Sequence, residues 1–256
     1  MDTPHTLINR TGALATITLN RPGKANALSV AMRASLQDRL KDAAADDAIE
    51  VVLIQAEGPT FCGGLDLTDL PEGPAQWRER VLAAQLNHLS VMRMPKVVIA
   101  AVQGAVVGGG ASLALSADIL VMAEDAHFSF PFVHLGIVPD GGSSYFLQAK
   151  LGVPLALDLL LTGSKLSAQE AARLGLTRRV VAADQLKARS QALAEELARV
   201  PSEARRLTKS LCQQFWSGGL EALLSHEADA FAFAISTPGH QAAMKRLKLA
   251  SARRGS

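Results

Sequence analysis

Three consecutive glycines, Gly108-Gly109-Gly110, stand between a β-branched run, Val97 to Val102, and a segment with helical spacing from Ala111 to Ala117. A strand, a glycine turn and a helix in that order leave backbone N–H groups bare of side chains at a helix N-terminus, where the helix dipole is positive. The chemistry this offers is the binding of an anion. A second glycine-rich loop, Glu57 to Asp66, directly follows the run Val51 to Gln55, so two loops at equivalent ends of neighbouring strands could face one cleft. A third turn, Leu135 to Gly142, carries the carboxylate of Asp140. On local pattern alone Asp140 reads as the N-cap of a helix from Ser143 to Leu151, and the glycine triplet as tight strand-to-helix packing.

Other chemistries fit less well. Gly104 and Gly108 form a GxxxG inside an apolar run, but Gln103 and Asp118 bound a segment shorter than the roughly 20 residues that a bilayer requires. Gly110 to Ala114 lacks the closing glycine of a nucleophile elbow, and no phosphate-loop lysine follows the triplet. The six histidines show no HExxH or other close metal pair, and His134 reads as a loop or packing residue.

The elements that must position these loops alternate. Leu14 to Leu19 predicts a strand, Asn20 to Gly23 a turn, and Ser29 caps a helix through about Ala44 with Met32, Leu36 and Leu40 on one stripe. Leu67 to Pro74 is loop-like, and Trp77 to Met92 predicts a helix. Asp118 to Ala123 and Ala126 to Phe130 predict short strands around a Glu124-Asp125 turn. From Val153 on the chain is mostly helical: Leu155 to Leu161, Ser167 to Leu174 with a Ser-x-x-Glu capping box, Leu186 to Arg199, Ser202 to Trp216 and Leu220 to Ile235. The basic tail, Lys245 to Arg254, reads as a solvated helix end that could also meet phosphates.

At 256 residues and 48% hydrophobic composition the chain can bury the core of one α/β domain with appendages. Its 26 basic and 24 acidic residues nearly cancel and only 4% are aromatic, which speaks against nucleic acid as a partner. Cys62 and Cys212 are too few for a disulfide framework, and the start has neither the apolar core of a signal peptide nor the character of a transit peptide. A cytoplasmic protein, with no membrane partner, is the expectation.

Taken in order, the loops resemble those of the crotonase superfamily, the enoyl-CoA hydratase/isomerase group. The resemblance runs from Leu14 to about Lys248 and rests on Asn20-Arg-Pro with Lys24-Ala-Asn26-Ala-Leu28, Phe61-Cys-Gly-Gly-Leu-Asp66, Gln103-Gly with Gly108-Gly-Gly110, and Leu135-Gly-Ile-Val-Pro-Asp140. It implies a spiral of repeated strand-strand-helix units over residues 1–198 and a helical region over 199–256 used for trimer assembly, as a homotrimer or a hexamer built as a dimer of trimers. It also implies an acyl-CoA thioester as substrate and no separate cofactor. The thioester oxygen would be held by the backbone N–H groups of Leu65 and Gly109, in keeping with the anion site read from the glycines. The substrate would lie along Lys24, Ala25, Ala27, Leu28, Gly63, Gly64, Asp66, Leu67, Gly108, Gly110 and Phe132. Arg21 and Lys24 could meet the phosphates of CoA.

Hydratases of this family use two glutamates, at positions that match Ser112 and Phe132, so neither carboxylate is present. Asp140 matches the catalytic aspartate of isomerase-type members, and FVHLGIVPDGGSSYFL is similar to the phenylacetate-type enoyl-CoA isomerases. The resemblance thus implies an isomerase in which Asp140 moves a proton against an apolar wall of Phe130 and Phe132. A hydratase using Asp140 and water, or a non-catalytic RNA-associated homologue, are the alternatives. The dehalogenase branch places tryptophan where Phe132 stands.

Overall fold

The computed structural model describes residues 4–217 and 219–254. In chain order the elements are β1 (Thr6–Thr11), β2 (Leu14–Leu19), α1 (Val30–Ala45), β3 (Val51–Ala56), α2 (Pro74–Arg93), β4 (Val97–Val102), β5 (Ala105–Val107), α3 (Gly109–Ser116), β6 (Ile119–Ala123) and β7 (His127–Ser129). They continue with α4 (Ser143–Leu151), α5 (Val153–Thr162), β8 (Lys165–Ser167), α6 (Ala168–Arg173), β9 (Val180–Val181), α7 (Leu186–Ala198), α8 (Ser202–Ser217), α9 (Leu220–Ile235) and α10 (Pro238–Arg254).

Two sheets run side by side. The larger has the order β1-β2-β3-β4-β6-β9, antiparallel only between β1 and β2, and the smaller has the order β5-β7-β8. All six residues of β4 are buried, as the central strand of a parallel sheet covered on both faces requires. After β4 and β6 the chain steps sideways before its helix: β4 to β5 to α3, then β6 to β7 to α4. The two preceding turns make the same step with a single residue pair each, the parallel bridges Cys62 to Val106 and Leu28 to Leu65. The repeat is therefore strand, strand, helix, wound as a spiral whose sidestep brings the glycine loops edge to edge.

The C-terminal helices pack back on this spiral. α9 lies against α2, where the Trp77 and Phe231 rings are 5.2 Å apart and Gln85 Nε2 donates to the Leu224 carbonyl at 2.9 Å. No helix among the described residues is long and apolar enough to cross a membrane.

Several boundaries differ from expectation. α3 starts at Gly109, not at Ala111, and Gly110 within its first turn passes so close to the Cys62 loop that a Cβ would stand 2.5 Å from Cys62 Cβ. The helix after Asp140 has Gly142 as its N-cap, and the Asp140 side chain caps nothing. β1, β5, β8 and β9 were not expected from the sequence. β1 is an edge strand with mostly exposed side chains, and the other three are only two or three residues long, too short to show alternation.

Candidate active site

Three segments zip together through their main chains. Gly63 N donates to the Ala25 carbonyl (2.8 Å), Leu28 N to the Gly64 carbonyl (2.7 Å), Cys62 N to the Ala105 carbonyl (3.2 Å) and Val107 N to the Cys62 carbonyl (2.9 Å). Gly64 has φ +85° and passes Val107 so closely that a Cβ would stand 2.8 Å from its carbonyl oxygen. Asn26 holds the first loop to the second: its Oδ1 accepts from Arg21 N at 2.7 Å, and its Nδ2 donates to the Glu57 and Thr60 carbonyls at 2.9 and 2.8 Å. Within this backbone cluster neither Leu65 N nor Gly109 N donates to another main-chain group. Gly109 opens α3, so its N–H has no partner inside the helix.

The space above Gly109 is ringed by side chains from distant segments. The point where a Cβ on Gly109 would sit is 3.5 Å from Leu28 Cδ1, 3.8 Å from Asp140 Oδ1 and 3.9 Å from Arg33 Nη2. The Phe132 ring lies 3.7 Å from the equivalent point on Gly108. Phe130, two residues before it, is fully buried and stacks on Phe128, with ring centroids 6.2 Å apart. Asp140 Oδ1 is sealed from solvent and accepts no hydrogen bond among the described residues. Burial pushes this acid above the usual carboxylate range, and the nearby Arg33 guanidinium works against that rise.

What fixes Asp140 is its main chain. Its carbonyl accepts from Ser143 N (3.1 Å), Ser143 Oγ (2.9 Å) and Ser112 Oγ (3.0 Å). Ser112, at the position of a hydratase glutamate, is thus a buried strut between α3 and α4. Two further groups that the sequence reading missed hold the same loop. His88 on α2 faces the Gly109 carbonyl through Nε2 and the Ala84 carbonyl through Nδ1, both at 3.1 Å, while its ring packs under Gly141. Burial lowers this imidazole to about 4, so it is neutral at physiological pH. Glu227 on α9 reaches across to accept from Gly142 N at 2.9 Å and Ser144 Oγ at 2.8 Å, supplying the cap that α4 lacks locally. Arg33 was also missed, although with Ser29, Met32 and Leu36 it falls on the buried stripe of α1, where a charge is out of place.

Burial raises Glu227 to about 7, and the neighbouring Asp140 charge adds to the rise. The folded chain therefore keeps this proton up to about pH 7, whereas the unfolded chain releases it near its ordinary value of 4.5. Stability should fall as pH rises across that window, by on the order of 1–3 kcal/mol. Comparing the melting temperatures of wild type and Glu227→Gln from pH 4.5 to 8 isolates the effect, because Asp140 is common to both. A parallel pair of curves would contradict it.

The remaining expected residues divide. Lys24 and Leu67 are exposed and Leu28 is buried against Gly109. Asp66 turns inward: burial raises its acid, but hydrogen bonds from Arg21 and Thr68 outweigh this and hold it at about 2. Arg21 pairs with Asp66 through Nη1, and its side chain remains partly exposed. Cys62 is buried and donates to the Asn26 carbonyl, and burial pushes its thiol up to about 11, so it is no reactive nucleophile. A separate cavity of about 550 Å³ lies under α8, lined by Leu115, Tyr145, Phe146 and Lys209, and includes neither Asp140 nor Gly109.

Adjacent glycine loops on a strand-strand-helix spiral, with the Asp140 carboxylate beside Gly109, are what the resemblance of the loop sequences implies, and comparison gives the family. The profile of the enoyl-CoA hydratase/isomerase family matches residues 9–248. The chain belongs to this family and is an acyl-CoA enzyme of the crotonase superfamily. It is 36% identical over 219 residues to the 1,2-epoxyphenylacetyl-CoA isomerase of Escherichia coli (strain K12), covering 84% of each chain. It is 30% identical over 250 residues to the 4-chlorobenzoyl coenzyme A dehalogenase-2 of Arthrobacter sp, covering 96% of this chain and 90% of that one. A crystal structure of an enoyl-CoA hydratase from Mycobacterium avium subsp. paratuberculosis K-10 superimposes with a TM-score of 0.86 at 27% identity, over 95% of this chain and 98% of that chain.

Proposed function

We propose that the enzyme shifts a double bond, converting a 3-enoyl-CoA to a 2-enoyl-CoA. Asp140 takes a proton from the carbon next to the thioester carbonyl, and the electron pair moves onto the thioester oxygen as an enolate. The N–H groups of Leu65 and Gly109 receive that oxygen. Protonated Asp140 then returns its proton two carbons further along, the enolate collapses, and the double bond lies between carbons two and three. One base serves both transfers.

The observation that carries this reading is the Asp140 carboxylate itself: on a half-buried residue, with Oδ1 sealed from solvent, without a hydrogen-bond partner among the described residues, and 3.8 Å from the point where a Gly109 side chain would begin. A hydratase needs a second group to manage water, but the Ser112 hydroxyl is committed to Asp140 and Ser143, and Glu227 is committed to Gly142 and Ser144. We also propose assembly as a homotrimer or a dimer of trimers, supported by the exposed apolar stripe Val153, Leu157 and Leu161 along α5.

The test is to assay 3-hexenoyl-CoA isomerisation beside crotonyl-CoA hydration. Isomerisation is expected to be faster by about a hundredfold, the lower end of what a positioned acid–base group contributes. Hydration at an equal or higher rate overturns the proposal.

A further inference from the structure

Arg33 is a strong donor only partly employed. The residue is 8% exposed, and its Nε donates to the Leu28 carbonyl at 3.2 Å, which fixes the plane of the guanidinium. Nη1 and Nη2 have no acceptor among the described residues and are not sealed off, unlike Nη1 of Arg80. A guanidinium carries five N–H donors and cannot shed its charge, so leaving the outer four unmatched in a buried site is costly. Nη2 and Asp140 Oδ1 lie 3.9 and 3.8 Å from one point above Gly109, yet they form no ion pair. The gap between them is where the first carbons of an acyl group would pass.

We infer that the acyl group this site takes carries a neutral acceptor oxygen, as a hydroxyl, keto or epoxide group near the reacting carbons, and that Arg33 receives it. The inference rests on the acyl-CoA reading of the site and names its substrate class. Charge decides against a carboxylate. Arg33 and Asp140 cancel across the gap, and Arg80 is matched by Asp69, at 2.9 Å to the carboxylate and 2.7 Å to the carbonyl. A further anion would stand uncompensated beside the aspartate, whereas a neutral oxygen satisfies the free donors and leaves the balance unchanged.

The experiment is calorimetric titration of the intact enzyme with four CoA esters: butanoyl, 4-hydroxybutanoyl, 3-oxobutanoyl and succinyl. At least one of the two neutral oxygenated esters is expected to bind tenfold or more tightly than butanoyl-CoA, with succinyl-CoA no tighter than butanoyl-CoA. Arg33→Met should bring the preference close to one, whatever it does to absolute affinity, and Arg33→Lys should keep only part of it because an ammonium lacks the fork. The wild-type ratios stand on their own if a variant fails to fold. Equal binding of butanoyl and both oxygenated esters, a preference that survives Arg33→Met, or succinyl-CoA as the tightest ligand overturns the inference while leaving the acyl-CoA reading intact. No binding of any of the four overturns both.

Discussion

Asp140→Asn is expected to lower the rate of 3-enoyl-CoA isomerisation by about a thousandfold while leaving the fold and the binding of product CoA ester in place. The reduction is that of a general acid–base group whose contribution typically spans 10²–10⁴. The fold survives because the Asp140 side chain makes no hydrogen bond among the described residues, while its carbonyl keeps the three bonds to Ser143 and Ser112. The melting temperature should change little, because asparagine removes a desolvated carboxylate but also the charge that opposes the buried Arg33 guanidinium, two effects of opposite sign. Turnover, product affinity and melting measured on the same preparation check all three statements. Wild-type isomerase rates in Asp140→Asn would remove Asp140 from the chemistry.

Gly109→Ala should separate folding from catalysis in the same way, by steric means. A methyl at 109 would meet Leu28, Asp140 and Arg33 at 3.5 to 3.9 Å, which is ordinary contact, and Gly109 is not among the glycines with positive φ. Alanine is also the better helix former by about 1 kcal/mol, so stability should be unchanged or slightly improved. The methyl nevertheless stands where the thioester must approach the Gly109 N–H, and loss of one such donor typically lowers turnover by about 10²–10³. Gly110→Ala supplies the contrast: its Cβ would stand 2.5 Å from Cys62 Cβ and 3.0 Å from the Cys62 carbonyl oxygen, so that chain should fold poorly. Kcat/KM and melting temperature for the two variants are the measurements. Full activity in Gly109→Ala would exclude that amide as a thioester donor.

The parts of the site that lie within a few residues of each other were legible in the sequence. Buried parallel strands such as β4 announce themselves as unbroken apolar runs, and the glycine loops follow them directly. Ser29 and Ser167 cap their helices as their positions suggest, each accepting from a backbone N–H three residues on. Asp140 was ambiguous because the same local pattern serves capping and chemistry, and only the position of its carboxylate separates the two. Arg33, His88 and Glu227 escaped notice because each belongs to an ordinary helix and reaches the site only through tertiary packing. Arg33 alone left a trace, a charge on a buried stripe. His88 meets Gly109 across 21 positions and Glu227 meets Gly142 across 85, spans over which residue spacing carries no contact information.

The grip of Glu227 on Gly142 and Ser144 also imposes an order on synthesis. While a nascent chain leaves the ribosome, the turn bearing Asp140 can be held at first by Ser112, Ser143 and His88, and its Glu227 tether arrives only when α9 emerges. Premature release before residue 227 would leave the start of α4 without that cap.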